Sequence, residues 1–205
     1  MARKPLLFAL MALAALAACD GASPTGGGAA LTQDEAQELA SAWDDVGAGV
    51  MDGYGGPSAS VLPAGPAGAT TTVQFTSTRT CPAGGTATVQ GTRVVEREGS
   101  GTGSVQFSAT RTDAACTFTA RRSAGTVTIT TTPSVQLTSE QSWTAGQPGT
   151  RTSTQKGSFD WARSGGASGS CTVDLVATWT PATRTHTLNG TFCDRTISVT
   201  RTRTE

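Results

Sequence analysis

From Thr71 onwards, short runs of alternating apolar and polar residues recur every 8–15 residues, separated by turn-forming segments. Successive side chains of a strand point to opposite faces, so such runs describe half-buried strands, and their spacing describes an antiparallel sandwich or barrel. The runs centre on Val73/Phe75, Val89 to Val95, Val105/Phe107, Phe118, Val127/Ile129, Val135/Leu137, Phe159/Trp161, Val173/Leu175, Leu188/Phe192 and Ile197/Val199. Pro82 to Gly85, Gly99 to Gly103, Arg121 to Ala124, Ala145 to Gly149, Gly165 to Ser170 and Pro181 to Thr183 supply the connections. Composition agrees, because 37 of the 205 residues are threonine, which favours strands, and 25 are glycine, which favours turns. The expected fold is mainly β: an antiparallel meander over residues 71–205, forming a sandwich or half-barrel, with one N-terminal amphipathic helix packed on it.

Residues that face each other in an antiparallel pair point the same way, so a hairpin's centre predicts which side chains share a face. Centring one hairpin on Gly84 pairs Cys81 with Ala87 and Val73 with Val95. The next then pairs Val95 with Val105 and Arg93 with Phe107. A hairpin centred on Ala167 pairs Trp161 with Val173 and Phe159 with Leu175. Centring the following one on Ala182 sets Cys171 opposite Cys193 but turns Leu188 and Phe192 outward. A bulge near Gly190 restores Leu188 and leaves Phe192 on the other face.

Ahead of the β-domain, Thr32-Gln33-Asp34-Glu35 matches a capping box, and Leu39, Trp43 and Val46 follow at helical spacing. A helix over 32–47 with these three on its packing face is expected, ended by Gly47 and Gly49. Residues 48–70 read as a Gly/Pro-rich linker with Val61-Leu62 docked, and 20–30 as a flexible tether with a reach of roughly 18 Å.

The chain opens with Arg3-Lys4, an apolar run from Leu6 to Ala15, and Leu16-Ala17-Ala18-Cys19. A basic head, a short apolar stretch and a small-residue cleavage site read as a secretory signal. The tetrapeptide resembles the lipobox of bacterial lipoproteins. That resemblance implies a signal peptide over 1–18, diacylglycerol on Cys19, a palmitate-type acyl group on the new amino terminus, and a membrane-anchored start to a tether over 19–31. It places the protein in the bacterial cell envelope, on the periplasmic face of the inner or outer membrane or at the cell surface, and Asp20 matches an inner-membrane retention signal. The later Cys81-Pro82-x-Gly84-Gly85 is similar to a spacing in uncharacterised β-rich envelope lipoproteins.

Setting Cys19 aside for lipid leaves Cys81, Cys116, Cys171 and Cys193, an even number suited to an oxidising compartment. Of three possible pairings, the turns favour Cys81–Cys116 and Cys171–Cys193. The first has to reach across an intervening strand, since two strand spacings exceed the ~7 Å limit between bridged Cα atoms.

Residues 19–70 carry seven acids and no base, whereas 71–205 carry eight acids and 13 bases. The net charge of the whole chain, +0, excludes a general nucleic-acid binder. The bases recur in Thr-Arg-Thr steps, which set arginine on one sheet face and threonine on the other. Arg79, Arg111, Arg184 and Arg201 are the candidate binding face, read first as a solvated outer surface. The alternative is a basic face that holds the acidic helix or an anionic glycan or lipid headgroup.

Catalytic patterns are sparse. His186 is the single histidine, so no paired-histidine metal site can form, and no motif for a metal, nucleotide or other cofactor occurs. A triad would have to combine His186 with Asp174, and no motif selects a serine for it. The T-x-T runs lack the fixed period of an ice-binding array. The sequence therefore reads as a non-enzymatic binding or scaffolding lipoprotein contacting an envelope protein or glycan. The alternative is a carrier of a lipid or other apolar ligand, its sheet curved around a cavity and its helix serving as plug.

Overall fold

A computed structural model of the chain describes residues 30–53, 68–98, 101–120, 125–131 and 133–202, with the side chains of 50–53 left aside. The leader, Cys19, most of the tether and Val61-Leu62 lie outside the described residues. Among the described residues, one α-helix, α1 (Gln33–Gly53), precedes ten antiparallel strands. These are β1 (Thr70–Thr80), β2 (Thr86–Arg97), β3 (Gly103–Ala114), β4 (Cys116–Ala120), β5 (Gly125–Thr130), β6 (Val135–Thr144), β7 (Gln147–Arg163), β8 (Ser168–Thr180), β9 (Thr185–Phe192) and β10 (Arg195–Thr202).

The topology is simpler than ten strands suggest. Strand β3 runs on into β4 through a kink at Ala115, whose φ is 52°. Likewise β5 runs on into β6, and the long β7 pairs with both: Gln147–Lys156 with β6, and Asp160–Arg163 with β5. The result is an up-and-down meander of eight lanes, with β1 and β10 at its two edges. The helix touches β9 and β10 near one edge and β1, β2 and β4 towards the other. The sheet is thus a half-barrel curled around its own helix.

The capping box forms as the residue types dictate. The Thr32 N–H donates to Glu35 Oε2 at 2.9 Å, and the Glu35 N–H donates to Thr32 Oγ1 at 3.3 Å. We expect Thr32→Ala to lower stability by about 1 kcal/mol, read as a shift in the urea midpoint at constant slope.

The helix runs to Gly53, six residues past its expected end at 47. Gly47 and Gly49 serve as clearance for arginines rather than as stops. A Cβ on Gly47 would stand 3.0 Å from Arg111 Nη1, and one on Gly49 would collide with the Arg79 guanidinium. The β-domain likewise starts earlier than 71, with the Gly68 N–H donating to Arg97 O at 2.7 Å.

Leu39, Trp43 and Val46 are buried against the sheet, as their spacing requires. The Trp43 ring centroid lies 5.1 Å from Phe159 and 6.2 Å from Phe192, which are 4.9 Å from each other. A smaller apolar cluster on the same sheet face joins Phe75, Val89, Val95, Val105, Phe107, Ala109 and Leu137.

Register departs from expectation in three hairpins, each for a reason that lies in its turn. Strands β1 and β2 pair Arg79 with Ala87 and Val73 with Arg93, two residues from the register centred on Gly84. Here the Cys81–Gly85 turn is tied down by the Cys81 N–H to Gly85 O and the Thr117 N–H to Gly84 O. Strands β7 and β8 pair Phe159 with Cys171 and Trp161 with Gly169, four residues from expectation. A tight turn closes there, with the Arg163 N–H on Ala167 O, and Gly169 leaves room for the Trp161 indole. Even slips keep every side chain on its face, so the predicted core survives. The expected β2–β3 pairs, Val95 with Val105 and Arg93 with Phe107, are present.

The β8–β9 hairpin is different in kind. Its pairs include Val173 with Phe192 and Ala177 with Leu188, so inward residues change from odd to even numbers. A 3₁₀ turn, Pro181–Thr183, followed by Arg184 at φ 51°, absorbs the odd residue. Phe192 is therefore fully buried rather than outward. Cys193 lies just beyond the strand with φ 52°, which turns it back to Cys171.

Both expected disulfides are present, Cys81–Cys116 with Cα atoms 5.4 Å apart and Cys171–Cys193 at 4.5 Å. The first crosses no strand. Lane β2 begins only at Thr86, so the bridge passes around its end.

Candidate functional site

The sheet's two faces carry opposite chemistry. Arg79, Arg93, Arg97, Arg111, Arg151, Arg163, Arg195 and Arg201 stand opposite Ala87, Phe107, Gly103, Val89, Gln141, Val127, Phe192 and His186 respectively. All eight belong to the concave face, where the helix lies. The alternation of arginine with threonine is as expected, but the basic face is the inner one. The reading of it as a solvated outer surface is corrected.

The reason is that the acidic helix supplies the counter-charges. Arg163 Nη2 donates to both Glu35 oxygens at 2.9 Å, and Arg201 Nη1 meets Asp45 Oδ2 at 2.9 Å. The Gln33 amide donates to Thr196 O at 2.6 Å, and Arg195 Nε to Leu31 O at 3.2 Å. The four arginines of the candidate face therefore do not form one exposed surface. Arg111 is wholly buried, Arg201 is paired to the helix, Arg79 lies over Gly49, and Arg184 sits exposed in the β8–β9 turn.

Arg111 anchors a buried polar network that the sequence reading missed. Its Nε and Nη2 grip Asp113 at 3.1 and 2.9 Å, while Nη1 donates to Trp43 O at 2.8 Å. The guanidinium carbon stands 3.8 Å from the centroid of the Trp43 ring, a cation–π contact out of water. The Trp43 Nε1–H donates to Gln155 Oε1 at 2.7 Å, whose amide donates to Asp44 Oδ1 at 2.7 Å. His186 Nε2 lies 3.1 Å from Asp44 Oδ2, beside the network. Burial holds the Arg111 guanidinium below its usual range, with Asp113 and then Asp44 opposing that effect. Burial also raises the Asp113 carboxyl, against the pull of Arg111. The one sequence signal was the charge segregation between helix and sheet; nothing local marks Arg111 apart from the other arginines.

His186 and Asp174 do not meet. His186 faces inward to Asp44, whereas Asp174 lies on the outer face and accepts from Lys156 Nζ at 2.8 Å.

The convex face is a field of hydroxyls. Thr152, Thr178, Thr187 and Thr200 face one another across β7, β8, β9 and β10. Hydroxyls pair directly at Thr78···Thr88 (2.9 Å) and Thr138···Thr154 (2.6 Å). Among the described strand residues, Lys156 is the one cation on this face, and Glu96, Glu140, Asp160 and Asp174 are its acids. Two shallow depressions, of about 440 and 450 Å³, indent it across β1, β2, β3, β6 and β7.

No known protein family, curated protein or solved structure matches this chain. Among the described residues, no helix is long and apolar enough to cross a membrane.

Proposed function

We propose that the chain is a lipid-anchored protein of the bacterial cell envelope, held to the membrane through Cys19, that binds or scaffolds without catalysing a reaction. The observation that carries this reading is the inward turn of the strand arginines onto the helix. It commits Arg79, Arg111, Arg163 and Arg201 to the helix and leaves for a partner a hydroxyl-rich convex face whose charges are one lysine and four acids among the described strand residues. The two disulfides fit an oxidising compartment. The carrier alternative needs an empty concavity, and Trp43, Phe159, Phe192 and the Arg111 network fill its centre beneath the helix. The space left there is a cleft of about 420 Å³ beside the helix, lined by Leu39, Ala42, Phe118, Ala120 and Val127 but also by Glu35, Asp45 and Arg201.

Anchoring is tested by growing expressing bacteria with labelled palmitate. Label and detergent-phase partitioning are expected for the natural chain and for neither in Cys19→Ser; equal labelling of the two excludes this anchor. Native mass spectrometry of the gently extracted protein tests the rest. Once the covalent lipid is accounted for, no further solvent-extractable mass is expected, and a stoichiometric one would favour the carrier.

A further inference from the structure

The two convex depressions share Thr92 and adjoin, making one trough that runs across the strands from β1 to β7. Four spacings between five lanes give it a length of about 19 Å. Gln90, Thr92, Gln106, Thr138, Thr152 and Thr154 line it, and Glu140 is its one charged group.

We propose that this trough binds an extended, uncharged polysaccharide. Three observations favour that occupant. First, the polar groups of the lining, Glu140 apart, are hydroxyls and amides, which both donate and accept, as the hydroxyls of a sugar chain require, and Val94 adds an apolar patch beside them. Even a paired hydroxyl such as Thr138 with Thr154 keeps lone pairs and a second O–H for a ligand, while the threonine methyls meet sugar C–H groups. Second, charge is almost absent, so an anionic chain finds no counter-charge: the arginines that would supply it are on the opposite face. Third, protein interfaces concentrate aromatic residues and arginine at their centres. Here Phe107 and Phe75 are the aromatic residues of the two depressions, and both are buried members of the inward rows of their strands. An added peptide strand is disfavoured as well, because β2, β3, β6 and β7 already have partners on both sides.

The assignment rests on the reading of the chain as a non-catalytic binding protein, and one experiment separates the two. The full chain, extracted in mild detergent from a bacterial envelope, is passed over immobilised dextran, β-1,3-glucan and chitin oligomers, with alginate and hyaluronate alongside. At least one neutral chain should bind with little salt dependence. Thr138→Lys and Gln106→Ala should each weaken that binding about tenfold or more, while Thr187→Lys, elsewhere on the convex face, leaves it within about twofold. Failure of all three neutral chains, binding of the polyanions alone, or equal loss in Thr187→Lys overturns the trough. Trough-dependent binding accompanied by new reducing ends keeps the site and overturns the non-catalytic reading.

Discussion

Reduction of both disulfides is expected to lower the unfolding free energy by about 7 kcal/mol, from roughly 3–4 kcal/mol for each bridge in the loop-entropy account. The bridges close separations of 35 and 22 residues, and loops of that size lose much of their unfolded-state freedom when tied. Domains of this kind are stable by about 5–15 kcal/mol, so a loss of about 7 kcal/mol removes from about half of that stability to all of it. Urea titrations followed by far-ultraviolet circular dichroism, with and without reductant, measure the difference. Cys81→Ser/Cys116→Ser and Cys171→Ser/Cys193→Ser apportion it between the two ends of the meander. A reduced protein within about 1 kcal/mol of the oxidised one would show that the curled sheet and helix suffice without their staples.

Arg111→Leu is expected to cost about 3–5 kcal/mol, because it leaves the Asp113 carboxylate and the Trp43 carbonyl in the core without their partner. The same principle makes the double variant informative. Replacing Arg111 and Asp113 together by leucine removes both charges, so its cost should fall well below the sum of the single costs. The effect of pH has a definite sign. The folded-state Asp113 carboxyl is raised above the ordinary aspartate value by burial, and Arg111 restrains that rise. Without Arg111 the rise is larger, and the folded state then takes up a proton at a pH where the unfolded chain does not. The deficit of Arg111→Leu should therefore shrink as pH falls through that raised value, since a neutral Asp113 needs no counter-charge. A single-variant cost below about 1 kcal/mol, or a deficit that grows on acidification, would mean that the network contributes little to stability.

Core membership was legible wherever alternation governed it. Phe159, Trp161, Val173 and Leu175 lie on one face although their predicted pairing was four residues out, because an even slip does not change a strand's faces. Phe192 was misplaced because its side depends on the parity of a turn. No pattern within β9 encodes how many residues Pro181–Thr183 and Arg184 take up. Gly47 and Gly49 read as helix stops because glycine ends helices in isolation, and only a guanidinium passing beside each explains why the helix continues.

The sequence by itself determined the strand content, the two chemically distinct faces, the helix start at Thr32 and the residues that pack beneath it, because each follows from local periodicity or capping chemistry. The tertiary structure alone decided which face of the sheet turns inward. An amphipathic strand with arginine on one side and threonine on the other is compatible with either choice, since threonine is tolerated in solvent and in a packed sheet alike. The choice fell to the segregated charges. The helix brings Glu35 and Asp45 to the concave side, where Glu35 meets Arg163 largely out of water and Asp45 meets Arg201, and the threonines are left to form the outer surface.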